Sequence, residues 1–228
     1  MKKKAVVLVS GGLDSVTVLS IAKKEGYDIY PLSFLYSQRH KIELEKAAKS
    51  IASIGIENHK IIPIDLSIFG GSALTDTSIE VPTYESAASI KPHIPVTYVP
   101  ARNTIFLSLA SAYAEILGAH DIFIGIHALD SGNYPDCTRE FIENFEKTAN
   151  IGLGFTKNYK LRIRAPLIDM NKADIISAGI SNGVDFTNTI SCYNPTELGQ
   201  SCGKCLACTI RQDGFNQLGM KDPAEYLK

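Results

Sequence analysis

A glycine-rich hexapeptide near the N-terminus has residue types that suit the binding of phosphate groups. It reads Ser10-Gly11-Gly12-Leu13-Asp14-Ser15 and stands between a predicted strand and a predicted helix. Two glycines allow positive φ angles and a close approach of the backbone to a ligand, and consecutive N–H groups before a helix suit phosphate oxygens. We expect Asp14 or Ser15 to cap the helix. On the glycine pair alone, a plain strand-to-helix turn is the commoner interpretation.

Four cysteines near the C-terminus have the spacing of metal ligands. Separated by nine, two and two residues, they are Cys192, Cys202, Cys205 and Cys208. Two-residue intervals let neighbouring thiolates converge on one ion, and four sulfur ligands suit a structural tetrahedral zinc. An iron–sulfur cluster is the main alternative, because the same short intervals occur in ferredoxins. Cys137 stands apart and is expected to be an ordinary buried or pocket-lining residue.

Two polar segments stand where a ligand lies in a parallel α/β sheet. Gln38, Arg39 and His40 follow the second predicted strand, and Arg39 suits a bidentate grip on a phosphate or a carboxylate. Arg102 and Asn103 begin a mostly apolar helix, where asparagine is a good cap but arginine is disfavoured by the helix dipole. An arginine at that position indicates an anionic partner. A solvated helix start and a surface salt bridge are the corresponding alternatives.

A third polar segment, residues 130–136, follows the strand predicted at Asp121–Ile126. Asp130 and Asp136 suit either Mg²⁺ or N–H donors like those of guanine, and Tyr134 suits stacking on a flat ring. Without further context, a polar loop with a Tyr-Pro turn is the alternative interpretation.

Strand-length apolar runs alternate with helix-length segments, which predicts an α/β fold with a parallel, Rossmann-like sheet. The predicted strands are Lys4–Val9, Ile29–Leu35, Lys60–Ile64, Asp121–Ile126 and Leu161–Arg164. The predicted helices are one from about Ser15, then Lys41–Ile54, Asn103–Leu117, Arg139–Ala149 and Lys172–Ile180. Leu66–Val99 breaks the alternation, so it is either a functional loop or contains unrecognised elements. We expect a main domain at residues 1–185 and a cysteine-rich, zinc-binding and helical tail at residues 186–228.

The composition is that of a folded globular protein with balanced charge. The 228 residues are 45% hydrophobic and 21% charged, and 23 Lys and Arg nearly balance 24 Asp and Glu. A net charge of -1 disfavours a nucleic-acid partner, because such proteins usually carry a basic excess. The apolar runs are too short to cross a membrane. We therefore expect a cytoplasmic protein, in which disulfides are disfavoured.

Several segments, taken in order, resemble the motifs of the 7-cyano-7-deazaguanine synthase family of PP-loop (adenine nucleotide α-hydrolase-like) ATP pyrophosphatases. They are Ser10–Ser15, Gln38–His40, Ser72–Asp76, Val96–Asn103, Tyr134–Cys137, Cys192–Asn194 and Cys202–Cys205. The resemblance implies that ATP adenylates a carboxylate on a 7-deazaguanine and that ammonia displaces AMP to give an amide. A second adenylation then leads to the nitrile, for queuosine-type nucleosides. The resemblance also implies structural zinc at the four cysteines, Mg²⁺ with ATP, and a homodimer.

The resemblance also implies roles for individual residues. The expected catalytic residues are Ser10, Asp14, Ser15 and Arg102. The expected ATP-binding residues are Val9, Ser10, Gly11, Gly12, Leu13, Asp14, Ser15, Val16, Thr17, Val18 and Leu19. The expected substrate-binding residues are Gln38, Arg39, Arg102, Asn103, Asp130, Tyr134 and Asp136. ATP, 7-carboxy-7-deazaguanine and ammonia are the expected small-molecule partners, without nucleic acid or membrane.

The chain departs from the family pattern at three places. Ser37 stands where the family commonly has glycine, Ser131 where it has an aromatic residue, and Thr138, followed by Arg139, where it has arginine. A relative that stops at the amide is therefore an alternative end point. Two competing functions are a PP-loop enzyme that transfers sulfur to tRNA and a non-catalytic zinc protein that binds a nucleotide. The cysteine spacing and the balanced charge favour the synthase over the sulfur-transfer enzyme.

Overall fold

A parallel sheet of five strands forms the centre of the computed structural model, which describes residues 2–89, 93–127, 134–157 and 159–227. The strands are β1 (Lys4–Leu8), β2 (Asp28–Leu35), β3 (Lys60–Pro63), β4 (Asp121–Phe123) and β5 (Arg162–Arg164). Their order across the sheet is β3-β2-β1-β4-β5, and each neighbouring pair is parallel. The order of the strands reverses between β1 and β4, so the carboxyl ends of these two strands border the crevice where such sheets bind ligands.

Helices cover both faces of the sheet. They are α1 (Leu13–Lys24), α2 (Ile42–Ser53), α3 (Arg102–Leu117), α4 (Arg139–Gly152), α5 (Lys172–Ser181) and α6 (Leu206–Gln217). Val6 and Leu8 of β1 lie in the core shared with α3 and α4, whereas Ala5 and Val7 lie in the core shared with α1, α2, α5 and α6. Since successive strand residues point to opposite faces, β1 is buried on both sides. That is why its sequence is a continuous apolar run.

The irregular segment Leu66–Val99 is tied to the cysteine-rich part of the chain. Thr83 forms an antiparallel bridge with Cys205, and the backbone N–H of Tyr84 donates to the carbonyl of Lys204 at 2.8 Å. The short 3₁₀ turns of the described chain are Ser67–Phe69, Ala87–Ser89, Pro135–Cys137, Gly154–Lys157 and Phe186–Asn188. Two of them fall in the irregular segment, so it contains elements that the sequence pattern did not indicate.

A buried ion pair holds together the segments of the C-terminal tail. The guanidinium of Arg211 in α6 donates from Nε and Nη2 to both carboxylate oxygens of Asp222, at 2.8 and 3.0 Å. Its remaining donors reach Thr189 Oγ1 at 2.8 Å and the carbonyl of Phe186 at 3.1 Å. Because every donor group of the buried arginine has a partner, the cost of removing its charge from water is offset.

The predicted alternation of strands and helices is confirmed, and the differences lie at the ends of elements. α1 begins at Leu13, two residues before its predicted start, and β4 ends at Phe123 rather than Ile126. β4 is short because its pairing with β5 covers three residues, although the N–H of Ile124 still donates to the carbonyl of Arg164 at 3.0 Å. Within the described residues, the helices are too short or too polar to span a membrane.

Candidate functional site

One cavity at the carboxyl ends of β1, β2 and β4 collects most of the predicted site residues. Its lining includes Val9, Ser10, Gly12, Asp14, Ser15, Gln38, Arg39, Arg102, Asn103, Tyr134 and Asp136. Of the predicted ATP-binding residues, Leu13, Val18 and Leu19 instead lie in the apolar core beneath α1. They support the glycine-rich loop, Ser10–Ser15, from behind. Asp130 and Ser131 lie outside the described residues.

The glycine-rich loop after β1 is folded tightly against α2. Gly11 has a φ of +87°, and a Cβ at this position would lie 2.2 Å from the carbonyl oxygen of Glu43. Glycine meets both conditions, because other residues disfavour this φ and a close-packed backbone leaves no room for a further carbon. The close backbone approach that the glycine pair indicates is therefore made to a helix of the same chain.

Two serines brace this loop. Ser15 Oγ accepts a hydrogen bond from the N–H of Ser10 at 3.1 Å and donates to the carbonyl of Gly12 at 3.0 Å. The predicted capping of α1 by Asp14 or Ser15 is wrong, because Gly12 is the N-cap and no side chain caps the helix. Both residues lie within the first turn. The first N–H groups of a helix have no partner inside it, so this end remains suited to an anion.

A buried lysine from α5 reaches the loop. Lys172 Nζ donates to Asp14 Oδ1 at 2.6 Å and lies 3.0 Å from His127 Nε2, which in turn lies 3.8 Å from Asp14 Oδ2. Lys172 and His127 are only 8% and 2% exposed, so this cluster is largely withdrawn from water. It brings to the loop a cation of the kind that the P-loop lysine supplies in other nucleotide-binding proteins.

The charges of this cluster determine the ionisation of Asp14. Burial raises the pKa of the Asp14 carboxyl, but Lys172 and His127 lower it by more, so the pKa lies below its usual value. Sequence analysis missed both partners, although each carries a signal. Lys172 is the first residue of α5, against the helix dipole, and His127 follows β4 at its carboxyl end.

Arg102 contributes a second cation to the cavity from the first position of α3. The preceding Ala101 has a φ of +54°, a left-handed conformation that costs a non-glycine residue about 1–2 kcal/mol. Burial lowers the pKa of Arg102, but Tyr36, Cys137 and Asp136 raise it by more, and the net shift is upward. The guanidinium is therefore a permanent positive charge at the cavity.

Asp136, rather than Asn103, caps α3. The N–H of Asn103 donates to Asp136 Oδ2 at 2.9 Å, and the Asn103 side-chain amide donates to the Asp136 carbonyl at 3.0 Å. The same amide donates to Cys137 Sγ at 3.2 Å. Asn103 thus lies inside the helix and holds the 135–137 turn in place. Asn103 and Asp136 are too distant in sequence for a capping pattern to indicate their contact.

Aromatic side chains form one wall of the cavity. The rings of Phe34 and Phe106 stack with centroids 3.9 Å apart and an interplanar angle of 9°, and Tyr36 meets Phe106 edge-on at 5.5 Å. Tyr134 Oη lies 3.3 Å from Thr97 Oγ1. Flat apolar surfaces with a few polar groups suit a planar heterocycle.

The second predicted strand ends in a strained turn. Ser37 has a φ of +64°, and its hydroxyl donates to Asp65 Oδ1 at 2.8 Å. Gln38 folds back on the chain, accepting from the N–H of Tyr36 at 2.8 Å and donating to the carbonyl of Phe34 at 3.4 Å. The positive φ explains why glycine suits this position in the family pattern.

Arg39 contacts backbone carbonyls of the irregular segment. Its guanidinium donates to the carbonyls of Ala73, Asp76 and Ile79, the bond to Asp76 being 3.0 Å long. These bonds fix the segment beside the cavity. Although Arg39 lines the cavity, Nε and Nη2 are therefore engaged, and its grip on a ligand stays a prediction.

Arg139, which follows Thr138, does not line the cavity. Thr138 is the N-cap of α4 and accepts from the N–H of Phe141 at 3.1 Å. Arg139 forms an exposed bidentate pair with Asp169, at 2.8 and 2.7 Å. Neither Thr138 nor Arg139 is among the described residues that line the cavity.

The four C-terminal cysteines form a cluster that borders the same cavity. Their sulfur atoms all lie within 4.8 Å of one another, and all four thiols are free of disulfides. The N–H groups of Asn194 and Cys202 donate to Cys192 Sγ at 3.3 and 3.2 Å, and the N–H of Cys205 donates to Cys202 Sγ at 3.3 Å. Such bonds stabilise thiolates, so the donor set fits a single metal ion.

Comparison with solved structures defines the class of fold. The chain is similar to NMN synthetase from Francisella tularensis, with 18% identity, a TM-score of 0.53, and coverage of 96% of this chain and 79% of that one. It is also similar to a predicted subunit of tRNA methyltransferase from Methanocaldococcus jannaschii, with 14% identity, a TM-score of 0.50, and coverage of 99% and 93%. These likenesses confirm the predicted α/β fold with a parallel sheet.

Comparison of sequences defines the family. The profile described as "Queuosine biosynthesis protein QueC" matches residues 4–219. The 7-cyano-7-deazaguanine synthase of Rickettsia akari is 54% identical over 226 residues, covering 99% of this chain and 100% of that protein. The one of Pseudomonas syringae pv. tomato is 52% identical over 233 residues, covering 99% and 98%. The chain belongs to the QueC family, which confirms the resemblance inferred from its motifs.

Proposed function

We propose that this chain is an ATP-dependent ligase that converts 7-carboxy-7-deazaguanine and ammonia into 7-cyano-7-deazaguanine. The carboxylate attacks the α-phosphate of ATP and expels pyrophosphate, and ammonia then displaces AMP to give the amide. The amide oxygen takes a second AMP, whose departure leaves the nitrile. The observation that carries this proposal is the cavity lined by the glycine-rich loop and Arg102, with Lys172 contacting Asp14 of that loop.

Lys172, which contacts Asp14 of the glycine-rich loop, is proposed to stabilise the leaving pyrophosphate. Its ammonium is held at the loop by the ionised Asp14, and its short contact with His127 fixes its direction. Preorganised charge of this kind stabilises a transition state because it needs no rearrangement when negative charge develops. The braced N–H groups of Ser10 to Ser15 would bind the phosphate oxygens in the same step.

Arg102 would orient the acid to be activated. A guanidinium binds a carboxylate through two parallel hydrogen bonds, and the wall of Phe34, Phe106 and Tyr36 suits the flat 7-deazaguanine ring. Tyr134 and Asp136 border the same space and are proposed to contact the base. The roles of Gln38, Arg39, Asn103 and Asp130 in substrate binding, and the catalytic roles of Ser10, Asp14 and Ser15, stay predictions.

We propose that the metal of the cysteine cluster is zinc and that it is structural. A tetrahedral zinc with bonds of about 2.3 Å places its sulfur ligands about 3.8 Å apart, which fits the observed cluster. In a [4Fe–4S] cluster each cysteine binds a different iron, which requires wider spacing. Mg²⁺ would accompany ATP, and Asp14 and Asp136, each of which also accepts a hydrogen bond within the chain, are the candidate carboxylate ligands for it.

The remaining proposals concern the assembly, which the family resemblance implies, and the compartment, the nitrogen source and the parts of the chain. They are that the protein acts as a homodimer in the cytoplasm, that free ammonia is its nitrogen source, and that residues 1–185 and 186–228 form its two parts. Light scattering coupled to size-exclusion chromatography tests the dimer directly, and a monomeric mass across the working concentration range would contradict it.

Mass spectrometry of the products tests the proposed function. Wild-type protein incubated with ATP, Mg²⁺, ammonium and 7-carboxy-7-deazaguanine should yield the nitrile, AMP and pyrophosphate. Lys172→Met should reduce AMP formation by about 10²–10³-fold, the usual effect of losing one preorganised charge, whereas Lys147→Met on the exposed face of α4 should not. Amide without nitrile would support the alternative end point, and no AMP with the wild type would refute the proposal.

A further inference from the structure

The proposed reaction releases protons at nitrogen, so the cavity needs a group that accepts them. When ammonia attacks the acyl adenylate, the new C–N bond carries a positive nitrogen that must lose a proton before the C–O bond breaks and its electron pair leaves with AMP. In the second half, the amide nitrogen loses two protons before the C≡N bond is complete and AMP departs. The inference that follows rests on the proposed function.

Three of the described residues that line the cavity carry carboxylates, and two of those are engaged. Asp14 holds the Lys172 ammonium at 2.6 Å, and Asp136 caps α3 through the N–H of Asn103 at 2.9 Å. Burial raises the pKa of Asp14, but Lys172 and His127 lower it by more, so Asp14 is a weaker base than usual. Asp136 is occupied at the start of α3. The third carboxylate belongs to Glu43.

Glu43 lies beside the nucleotide loop in the first turn of α2. Its carbonyl oxygen packs against Gly11 so closely that a Cβ there would lie 2.2 Å away. The backbone position of Glu43 is therefore fixed relative to the loop that binds the phosphates. Glu43 lines the cavity together with Arg102, which we propose binds the acid, and the charge of Arg102 acts on the Glu43 carboxyl. The carboxylate is thus close to the place where the activated carbonyl carbon must lie.

We infer that Glu43 is the general base that takes the protons from nitrogen in both halves of the reaction. In amide formation it accepts one proton from the nitrogen added by ammonia, as the C–O bond to AMP breaks. In nitrile formation it accepts the protons of the amide nitrogen, as the nitrogen electron pair forms the triple bond. Glu43 passes each proton to water before the next step.

The ionisation of Glu43 suits this role. Burial raises the pKa of its carboxyl to about 7, although the charge of Arg102 acts in the opposite direction. A base is most effective when its pKa lies near the working pH. Burial also raises the pKa of Tyr36 to about 12, which keeps this neighbour protonated, and burial lowers the pKa of His40. The other titratable groups of the cavity are Asp14, Arg39, Tyr98, Arg102, Tyr134, Asp136, Cys137, Cys192 and Tyr193.

The test separates activation of the acid from the nitrogen steps. Exchange of labelled pyrophosphate into ATP, with 7-carboxy-7-deazaguanine but without ammonium, reports adenylation alone. Glu43→Gln should lower the ratio of amide formation to exchange by about 100-fold, the lower range for general base catalysis. Glu43→Asp should recover part of that loss. Glu45→Gln, on the exposed face of α2, is the matched control and should leave the ratio unchanged.

The pH profile gives a second measurement. At a fixed concentration of free ammonia, amide formation by the wild type should rise as the pH passes about 7, because Glu43 accepts a proton only when ionised, and Glu43→Gln should lack this rise. A Glu43→Gln variant with the wild-type ratio of amide formation to exchange and the wild-type pH profile would overturn the inference. An equal loss of exchange and amide formation would also overturn it, because it would indicate damage to the loop. Absence of acid-dependent exchange in the wild type would refute the proposed function itself.

Discussion

Replacing Gly11 by alanine tests whether packing against α2, rather than positive φ alone, determines the nucleotide loop. Gly26 is a matched control, because its φ of +82° is close to the +87° of Gly11, but a Cβ at Gly26 would meet nothing within 4 Å. Each substitution forces alanine into the left-handed region, at a cost of about 1–2 kcal/mol. Only Gly11→Ala also places a carbon 2.2 Å from the carbonyl oxygen of Glu43.

The two variants should therefore differ by the cost of the steric clash. Forcing an extra methyl group into a packed site costs about 1–3 kcal/mol. The nearest atoms that the new carbon of Gly11→Ala would meet belong to the backbone, so they cannot move away as a side chain does. We expect Gly26→Ala to lower the free energy of unfolding by about 1 kcal/mol. Gly11→Ala should lower it by about 3 kcal/mol in all, since both costs apply.

Urea unfolding measures this difference, with equal slopes required for the comparison. Acid-dependent pyrophosphate exchange should also fall in Gly11→Ala, because the displaced α2 would distort the loop, and should persist in Gly26→Ala. Unfolding free energies of the two variants that agree within about 0.5 kcal/mol would refute the packing argument. The positive φ would then be the whole reason for glycine at both positions.

Two further substitutions test the metal cluster and the strained turn. Cys205→Ser should lose most of the bound metal and become less stable, because a structural zinc site contributes folding free energy. Cys137→Ser is its control, and elemental analysis that finds full metal in Cys205→Ser would contradict the assignment. The free energy of unfolding should be about 1 kcal/mol higher for Ser37→Gly than for Ser37→Ala, because only glycine relieves the φ of +64°. Ser37→Gly should therefore have the higher urea midpoint. Equal urea midpoints would show that this turn is not strained.

The strands and helices could be predicted because each buries a face with its own period. β1 is apolar throughout since both its faces are covered, and α3 ends at Gly118 in the left-handed conformation, as its sequence indicates. The ends of elements were less predictable. β4 stops at Phe123 because its partner β5 is short, which the apolar run to Ile126 does not reveal.

The site was predictable where a local motif carries it and not where distant residues meet. The nucleotide loop and the cysteine cluster each depend on short intervals in the sequence. The carbonyls that bind Arg39 come from an irregular segment with no periodicity, and Glu43 lies on an amphipathic helix whose charged residues would ordinarily face water. The contact of Lys172 with Asp14 joins residues 158 positions apart. No local pattern encodes such a contact.

One general signal nevertheless connects Arg102 and Lys172. Arg102 and Lys172 are each the first residue of a helix, where a positive charge costs about 0.3–1 kcal/mol against the helix dipole. Each helix offsets this cost with a carboxylate at the same end, Asp136 for α3 and Asp174, in a capping box with Asn171, for α5. Folding stability therefore gains little from the cations themselves. Arg102 lines the cavity and Lys172 contacts Asp14 of the glycine-rich loop, so the rule that singled out Arg102 in the sequence applies equally to Lys172.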